Sequence, residues 1–238
     1  MEKLIYLVWD RPSVDPARRG ADFADCILPA MAEAGATNIS LHVRDDHVGI
    51  DGPAPAPPSE LPLVAGVGVW LPAHDRRDGV EAALAAVGVR RAGYLVTESS
   101  WCEYGENDRR AERDWPRGER SPGVATFSLV TRNPRLDQRT FRELWYGHQS
   151  PMSEAVQPRW RYIRNTVAHP VTPGAPPVDG IVVECWPSEA VVADPVAFHH
   201  GADDPAVGHE NLQVMLDSVD QLFALDRLRS VAMSEYLY

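Results

Sequence analysis

The chain repeats its own pattern at a period of about 120 residues, and this repeat limits the folds that it can adopt. Each half reads as strand, helix, strand, strand, helix, strand. Leu4 to Pro12 matches Thr126 to Pro134, because both are apolar runs closed by a basic residue and a proline. Trp70 and Trp186 end the third strand of their halves, each after a proline-rich loop. A tandem duplication of one ferredoxin-like unit accounts for this order.

A ferredoxin-like unit leaves one face of its four-stranded sheet apolar and uncovered, because both helices lie on the other side. Two such units in one chain can bury these faces against each other. We therefore predict an α+β fold in which two tandem ferredoxin-like β-α-β-β-α-β repeats form a single-chain barrel. The expected domains are a mainly architectural repeat at 1–101, a linker at 102–122 and a repeat that carries the site at 123–238. A monomer then suffices to close the barrel, and the sequence also allows a homodimer.

Composition and charge exclude several classes of partner. The chain has 238 residues and is 44% hydrophobic, which is enough for a packed core. Its net charge of −11 and the lack of a basic stripe argue against nucleic acid. No apolar run is long enough to cross a membrane, and the N-terminus opens on a strand pattern rather than a signal peptide. Three scattered cysteines, at Cys26, Cys102 and Cys185, favour a reducing cytoplasm.

One helix of the second half joins aromatic side chains to an imidazole. Phe141, Trp145 and His148 are spaced so that they share one helical face. Gly147 and Pro151 mark the place where this helix loosens or ends. The pattern also suits an amphipathic core helix whose histidine is hydrogen-bonded and inert.

The repeat allows the two halves to be compared, and they differ at polar positions. Ala30 stands at the position of His148, and Gly68 stands at the position of Glu184. Only the second half therefore keeps titratable groups on these faces, which predicts one working pocket in the C-terminal half. The corresponding helix residues are Phe23 and Phe141, Ile27 and Trp145, and Ala30 and His148; His42 and Asn165 correspond on the second strand.

Phe141, Trp145 and His148, with the strand Tyr162–Asn165 and the segment Asp179–Glu184, resemble the EthD-like family of the dimeric α/β-barrel superfamily. The resemblance covers roughly residues 124–238, and the first half joins it through the repeat. Two residues separate the histidine from the following proline, where the family more often has one. The resemblance implies a dimeric-type α/β barrel and reactions of aromatic polyketide intermediates. Relatives in the superfamily include cofactor-free quinone-forming monooxygenases.

The catalytic candidates are His148, Asn165 and Glu184. An imidazole titrates near neutral pH, so His148 is the expected general acid or base. Asn165 and Tyr162 point to opposite faces of their strand, so at most one of them lines the pocket. We favour Asn165, as a hydrogen-bond donor to an enolate or carboxylate oxygen; Tyr162 is then core or a second wall. Glu184 either orients an imidazole, pairs with Arg164 or is an edge charge.

Four aromatic residues are the expected substrate-binding groups: Phe141, Trp145, Tyr162 and Trp186. His199, His200 and His209 resemble a loose metal cluster, but they lack a fixed ligand spacing, so we expect a polar loop and no metal. The sequence contains no phosphate-binding glycine loop, G-x-S-x-G or C-x-x-C motif. We therefore expect no cofactor.

These features predict a cofactor-independent lyase or cyclase in the cytoplasm that acts on a hydrophobic aromatic or polyketide-like molecule, with His148 as general acid or base. A cofactor-free monooxygenase that forms a quinone from an anthrone needs the same base in an apolar pocket, so the sequence does not separate the two. A non-catalytic small-molecule-binding protein is the third alternative.

Overall fold

The computed structural model describes all residues from Met1 to Tyr238, and their eight antiparallel strands close into one barrel. The strand order around the barrel is β1-β3-β2-β8-β5-β7-β6-β4. This order contains β4-β1-β3-β2 and β8-β5-β7-β6, which are the same arrangement in each half. The predicted single-chain barrel of two ferredoxin-like repeats is therefore confirmed. The strands are β1 (Glu2–Trp9), β2 (Thr37–Val43), β3 (Leu63–Leu71), β4 (Arg90–Cys102), β5 (Val124–Val130), β6 (Arg161–Pro170), β7 (Gly180–Trp186) and β8 (Arg229–Leu237).

The helices lie outside the barrel, and in each half the first strand is followed by two short helices joined by a π-helical turn. The turns are Phe23–Ile27 and Trp145–Gln149. None of the helices has the length and apolar character that a bilayer-spanning segment needs. The α-helices are α1 (Pro16–Asp22), α2 (Leu28–Glu33), α3 (Asp78–Leu84), α4 (Gln138–Leu144), α5 (Ser150–Val156), α6 (Glu189–Ala193) and α7 (Pro205–Leu222).

The two π-helical turns correct the alignment of the helices. They place Phe23 opposite Trp145 and Pro29 opposite Pro151, whereas the sequence comparison had placed Phe23 four residues earlier, opposite Phe141. A shift of four residues keeps a side chain on nearly the same helical face, so the apolar pattern alone could not fix the alignment. The counterpart of His148 is therefore the exposed Cys26.

The strand pairing corrects a second correspondence. Ile5 of β1 pairs with Gly68, and Phe127 at the same position of β5 pairs with Val183. Gly68 thus corresponds to Val183 and not to Glu184. Since neighbouring residues of a strand face opposite sides, this shift of one residue moves the comparison to the other face of the sheet.

The outer face of the sheet is covered differently in the two halves. Under α1, α2 and α3 the packing forms one cluster of 18 buried apolar residues. In the C-terminal half the corresponding packing is divided between a cluster of 8 members under α4 and α5 and one of 6 members at α6. The C-terminal half therefore fills less of the space between sheet and helices with apolar side chains, and a cavity lies there.

The segment between β4 and β5 contains the predicted linker and lies along one end of the barrel. The hydroxyl groups of Tyr104 and Ser121 each donate a hydrogen bond of 2.8 Å to the Glu235 carboxylate. The Arg109 guanidinium pairs with Glu154 of α5 at 2.7 Å. These contacts tie the segment to both the barrel and the helix layer.

Candidate functional site

A cavity of about 490 Å³ lies between the outer face of the sheet and the helices of the C-terminal half. Strands β5, β7 and β8 form its floor, and α7 covers it with Leu212, Met215, Leu216 and Val219. Hydrophobic residues make up 14 of the 26 that line it. The cavity therefore suits a mainly apolar molecule that is held by a few polar groups.

The floor of the cavity carries short hydroxyl side chains. Ser128 donates a hydrogen bond of 2.8 Å to Ser230, and Thr126 accepts one of 2.9 Å from the Trp186 indole. Side chains alternate along a strand, so these residues face the helices while Phe127 between them faces the barrel interior. The cavity thus has hydroxyl groups on the side of the sheet and apolar side chains on the side of α7.

The N-terminal half contributes one loop to the rim. Residues Asp51, Gly52, Pro53 and Ala54, from the proline-rich connection between β2 and β3, line the cavity. Ala54 forms an isolated bridge with Ser230. A Cβ atom at Gly52 would lie 2.1 Å from the Ser230 carbonyl oxygen, so only glycine allows the loop to come this close.

The π-helical turn decides which side chains of its helix reach the cavity. Trp145, Gln149 and Ser153 line it, whereas His148 is exposed and is not among the lining residues. In a regular α-helix the residue three positions after Trp145 would share its face, but a π turn is wider and brings the fourth residue there instead. The structure therefore does not bring His148 together with the other predicted site residues.

Two predicted aromatic residues form one wall of the cavity. The Trp145 indole donates a hydrogen bond of 3.2 Å to the Tyr162 hydroxyl, and both side chains line the space. Gly180 of β7 lets the indole lie flat on the strand, since a Cβ there would meet its ring at 2.3 Å. Phe141 packs behind Trp145, with 5.3 Å between ring centroids. Burial raises the pKa of Tyr162, so its hydroxyl keeps its proton.

Asn165 lies on the other face of the same strand, inside the barrel. Its side chain accepts a hydrogen bond of 2.9 Å from the Lys3 ammonium and donates one of 3.1 Å to the Ile181 carbonyl. Tyr162 and Asn165 do face opposite sides, and the side that lines the cavity is the Tyr162 side. Trp186 is fully buried and packs on Phe198 at 4.2 Å, so it supports Phe198 and Thr126 from behind.

Glu184 lines the cavity as part of a buried ion-pair network. Its carboxylate accepts a hydrogen bond of 2.9 Å from Arg159, which also pairs with Glu154 at 3.1 Å. Burial raises the pKa of Glu184, and the Arg159 charge opposes that shift. The suggested partner Arg164 instead donates to the Ser150 hydroxyl at 2.7 Å. Glu184 therefore pairs with Arg159 and not with Arg164.

The imidazole that lines the cavity belongs to His199. Its Nδ1 lies 2.7 Å from the Pro195 carbonyl oxygen, which can only accept, so Nδ1 carries the proton and Nε2 bears the lone pair. The residue is 4% exposed, and its Nε2 is buried without any hydrogen-bond partner. Burial lowers the pKa of His199, which favours the neutral ring. A buried, unpaired basic nitrogen is the group that a proton-abstracting site requires.

The sequence pattern predicts a polar loop around His199. In the structure it ends a short 3₁₀ turn, Ala197–His199, and His200 follows in a left-handed conformation with φ of 61°. The apolar residues directly before His199 were the available sign that the turn is buried. No three His, Cys, Asp or Glu residues of the chain lie together in a way that could hold a metal ion.

The charge of the cavity lining also limits which molecules can bind there. Asp51 and Glu184 are its only Asp, Glu, Lys or Arg residues, so the lining carries no cationic side chain. A bound carboxylate or phosphate would meet no positive charge there, and desolvating it would be unfavourable. The lining is thus better matched to a neutral molecule.

No protein-family model matches the sequence, and no curated protein is significantly similar to it. Solved structures match across nearly the whole chain. An anthrone oxidase-like protein is 8% identical with a TM-score of 0.59, and the alignment covers 99% of this chain and 93% of that one. The chain has the dimeric α/β-barrel fold. Two proteins described as "putative monooxygenase" share it, from Fusobacterium nucleatum (6% identity, TM-score 0.54, covering 99% and 91%) and Lactobacillus acidophilus (7%, 0.50, covering 98% and 93%). At these identities the likeness shows the fold alone.

Proposed function

We propose that this chain is an enzyme that removes a proton from a neutral, flat aromatic molecule bound in the cavity of the C-terminal half, with His199 as the base. The observation that carries the proposal is the buried Nε2 of His199, which has no partner in a mainly apolar cavity. Its other nitrogen is fixed by the Pro195 carbonyl, so the ring is held in the tautomer that accepts a proton.

The reaction that we place first is the cofactor-free oxidation of an anthrone to a quinone. His199 takes a proton from the methylene carbon of the central ring, and the resulting enolate is electron-rich enough to reduce dioxygen. A carbon–oxygen bond forms, and the peroxide that results is protonated. The oxygen–oxygen bond then breaks as the second hydrogen leaves the carbon. One oxygen atom remains as the new carbonyl, and the other leaves as water with both hydrogens.

Two considerations favour this reaction over decarboxylation. An anthrone is neutral, which agrees with a lining that has no cationic side chain, whereas a keto acid would bring a carboxylate into it. The structural neighbours include a protein described as anthrone oxidase-like. We further propose that the hydroxyls of Thr126 and Ser230, whose hydrogens are not used by Trp186 and Ser128, hold the substrate carbonyl as charge develops on its oxygen.

A dehydrating or cyclising lyase is the second candidate. The Tyr162 hydroxyl and the Gln149 amide also line the cavity, and a retained tyrosine proton is what an acid needs to assist loss of water. The resemblance of Phe141, Trp145 and His148 to the EthD-like family supports this candidate. Membership of that family and a cytoplasmic location are part of the proposal and rest on the sequence alone.

The proposal is tested by oxygen uptake and product mass during incubation of anthrone with the purified protein. We expect quinone formation above the spontaneous background, with one atom of isotopically labelled dioxygen in the product. His199→Gln should lower the enzymatic rate about 100-fold or more, because a positioned base contributes that much. His148→Gln is the matched control, since His148 is exposed outside the cavity, and it should retain the full rate.

Each other result has a defined meaning. Loss of water without oxygen uptake, from a polyketide substrate and dependent on His199, would establish the lyase candidate. Equal rates for the wild type and His199→Gln would overturn the assignment of the base. Ligand retained through gel filtration without turnover would identify a binding protein instead.

A further inference from the structure

A second cavity, of about 300 Å³, lies at one end of the barrel interior. Ile163 and Val183 line it, and both belong to the cluster that fills the barrel. Glu184, the neighbour of Val183, lines the first cavity on the outer face of the same strand. The sheet therefore separates the two cavities, and what binds in one does not contact what binds in the other.

A buried carboxylate whose two oxygens both accept hydrogen bonds lies next to this cavity, which we call the barrel-end cavity. Glu235 is 2% exposed and accepts hydrogen bonds from Tyr104 and Ser121, both at 2.8 Å. Arg161 donates to its other oxygen at 2.8 Å, and His42 Nε2 lies 3.1 Å from that oxygen. With this many donors Glu235 stays ionised, and the hydrogen bond from His42 requires the proton of that ring to sit on Nε2.

His42 is left with one free acceptor. The residue is 2% exposed and lines the barrel-end cavity, and its Nδ1 is buried with no hydrogen-bond partner. Because Nε2 holds the proton, Nδ1 offers a lone pair. A buried acceptor without a partner is unfavourable, so a hydroxyl or amine hydrogen from a bound molecule would relieve it.

Two of the three arginine side chains that line the same cavity have no carboxylate partner, whereas Lys3 and Glu98 of the lining pair with each other. Arg113 donates only to the backbone carbonyls of Pro116 and Leu237, at 3.1 and 3.2 Å, and its buried Nε has no partner. Arg117 lines the opening, is exposed and takes part in no side-chain hydrogen bond or ion pair. Both arginines lie at the same opening, in a chain whose net charge is −11. Two unneutralised cations there favour a ligand that carries a negative charge.

We propose that the barrel-end cavity binds a small hydroxycarboxylate. Its carboxylate pairs with Arg113 and Arg117, since a guanidinium matches a carboxylate in planar geometry and charge. Its hydroxyl donates to Nδ1 of His42. The half-buried Trp70 also lines the cavity, which favours an aromatic ring between the two polar ends.

The test is titration calorimetry with 4-hydroxybenzoate at neutral pH and low salt. We expect saturable binding of one molecule per chain. Benzoate, which lacks the hydroxyl, and 4-hydroxybenzyl alcohol, which lacks the carboxylate, should each bind at least about fivefold more weakly. Arg113→Gln should weaken 4-hydroxybenzoate about tenfold, and the more exposed Arg117→Gln about fivefold.

Matched controls locate the binding. Arg139→Gln removes an exposed arginine of α4 that is paired with Glu143, and it should leave the affinity unchanged. His199→Gln should also leave it unchanged, because His199 lines the other cavity. No saturable binding, the wild-type affinity in Arg117→Gln, or loss of binding in His199→Gln would each overturn the proposal. Arg117 is exposed, so this variant gives a result even if Arg113→Gln fails to fold.

Discussion

A single carbonyl group, that of Pro195, keeps the proton of His199 on Nδ1 and leaves Nε2 unprotonated. The Pro195 carbonyl accepts a hydrogen bond of 2.7 Å from the Nδ1–H group, and the Asn211 amide donates one of 2.9 Å to the His199 carbonyl. The ring is therefore oriented before any substrate arrives. A Brønsted base that is neutral and fixed in place needs no rearrangement at the moment of proton transfer.

Burial of His199 predicts the pH dependence of the proposed reaction. The base works only when unprotonated, and burial lowers its pKa from the ordinary value of 6.5. We therefore expect kcat/KM to be constant around neutral pH and to fall only at values below 6.5. A pH–rate profile of anthrone oxidation measures this. An acid limb at or above the ordinary value would mean that another group is the base.

Glu235 predicts a large effect on stability. Removing its charge leaves Arg161 buried without its deeper partner, so Glu235→Gln should lower the free energy of unfolding by about 3 kcal/mol at neutral pH. Urea unfolding measures the change. Glu143→Gln, in an exposed pair, is the control and should change it by less than about 0.5 kcal/mol.

The same variant has a pH signature. The Arg161 charge and the hydrogen bonds outweigh the effect of burial and hold the pKa of Glu235 well below its ordinary 4.5. This stabilisation is therefore present above pH 4.5 and is lost as the pH falls further. The stability difference between the wild type and Glu235→Gln should therefore shrink in acid. A difference that stays constant would show that Glu235 acts through packing rather than charge.

The residues of the candidate site were only partly predictable. Trp145, Tyr162 and Glu184 line the cavity, and each sits in a segment whose strand or helix pattern is clear. His148 was selected by its helical spacing, which assumes a regular helix. His199 ends a short turn with no periodic pattern, so its burial depends on α6 and α7 packing around the turn, which a local pattern does not encode.

At the scale of elements, the apolar periodicity of the sequence does not predict the π-helical turns. A π turn adds one residue to a helix without changing its composition, and it rotates every later side chain. Gln149 then follows Trp145 in the buried row, and its amide accepts a hydrogen bond from Ser218 of α7. This link joins the helix that carries the cavity wall to the helix that covers the cavity.

Helix α7 depends on the capping residue that precedes it. The Asp204 carboxylate caps the helix by accepting a hydrogen bond of 3.0 Å from the Ala206 amide. Asp204→Ala should lower the free energy of unfolding by about 1 kcal/mol. Asp203→Ala is the matched control, because it removes a neighbouring exposed carboxylate that makes no such bond, and it should change the free energy by less than about 0.5 kcal/mol. Equal effects in chemical denaturation would contradict the assigned cap.

At the scale of the whole molecule, the repeat was sufficient to predict the barrel. The helices of each half leave one apolar face of its sheet uncovered, and only a second sheet in the same chain or another copy can cover that face. The seams that result are β2 with β8 and β4 with β6. The cavity, in contrast, depends on how α6, α7 and the loop at Asp51–Ala54 lie over the second sheet, which no pairing rule fixes.

Closure within one chain predicts folding as a monomer. All eight strands have two neighbours, so no edge needs a second copy. We expect the urea midpoint to be independent of protein concentration, because the folded and unfolded states then contain the same number of chains. A midpoint that rises with concentration, or only dimers in light scattering, would contradict this expectation.

The position of β8 between β2 and β5 has a consequence for synthesis on the ribosome. Residues 229–237 leave the exit tunnel after every other strand, so β2 and β5 both present unpaired edges until then. The first half can form its own sheet early, and β4 can pair with β6 before β8 is made, yet the seam between β2 and β8 closes only when the second half is complete. The nascent chain therefore passes through a stage at which the edges of β2 and β5 are open to chaperones and to neighbouring chains, and β8 ends that stage by pairing with both edges.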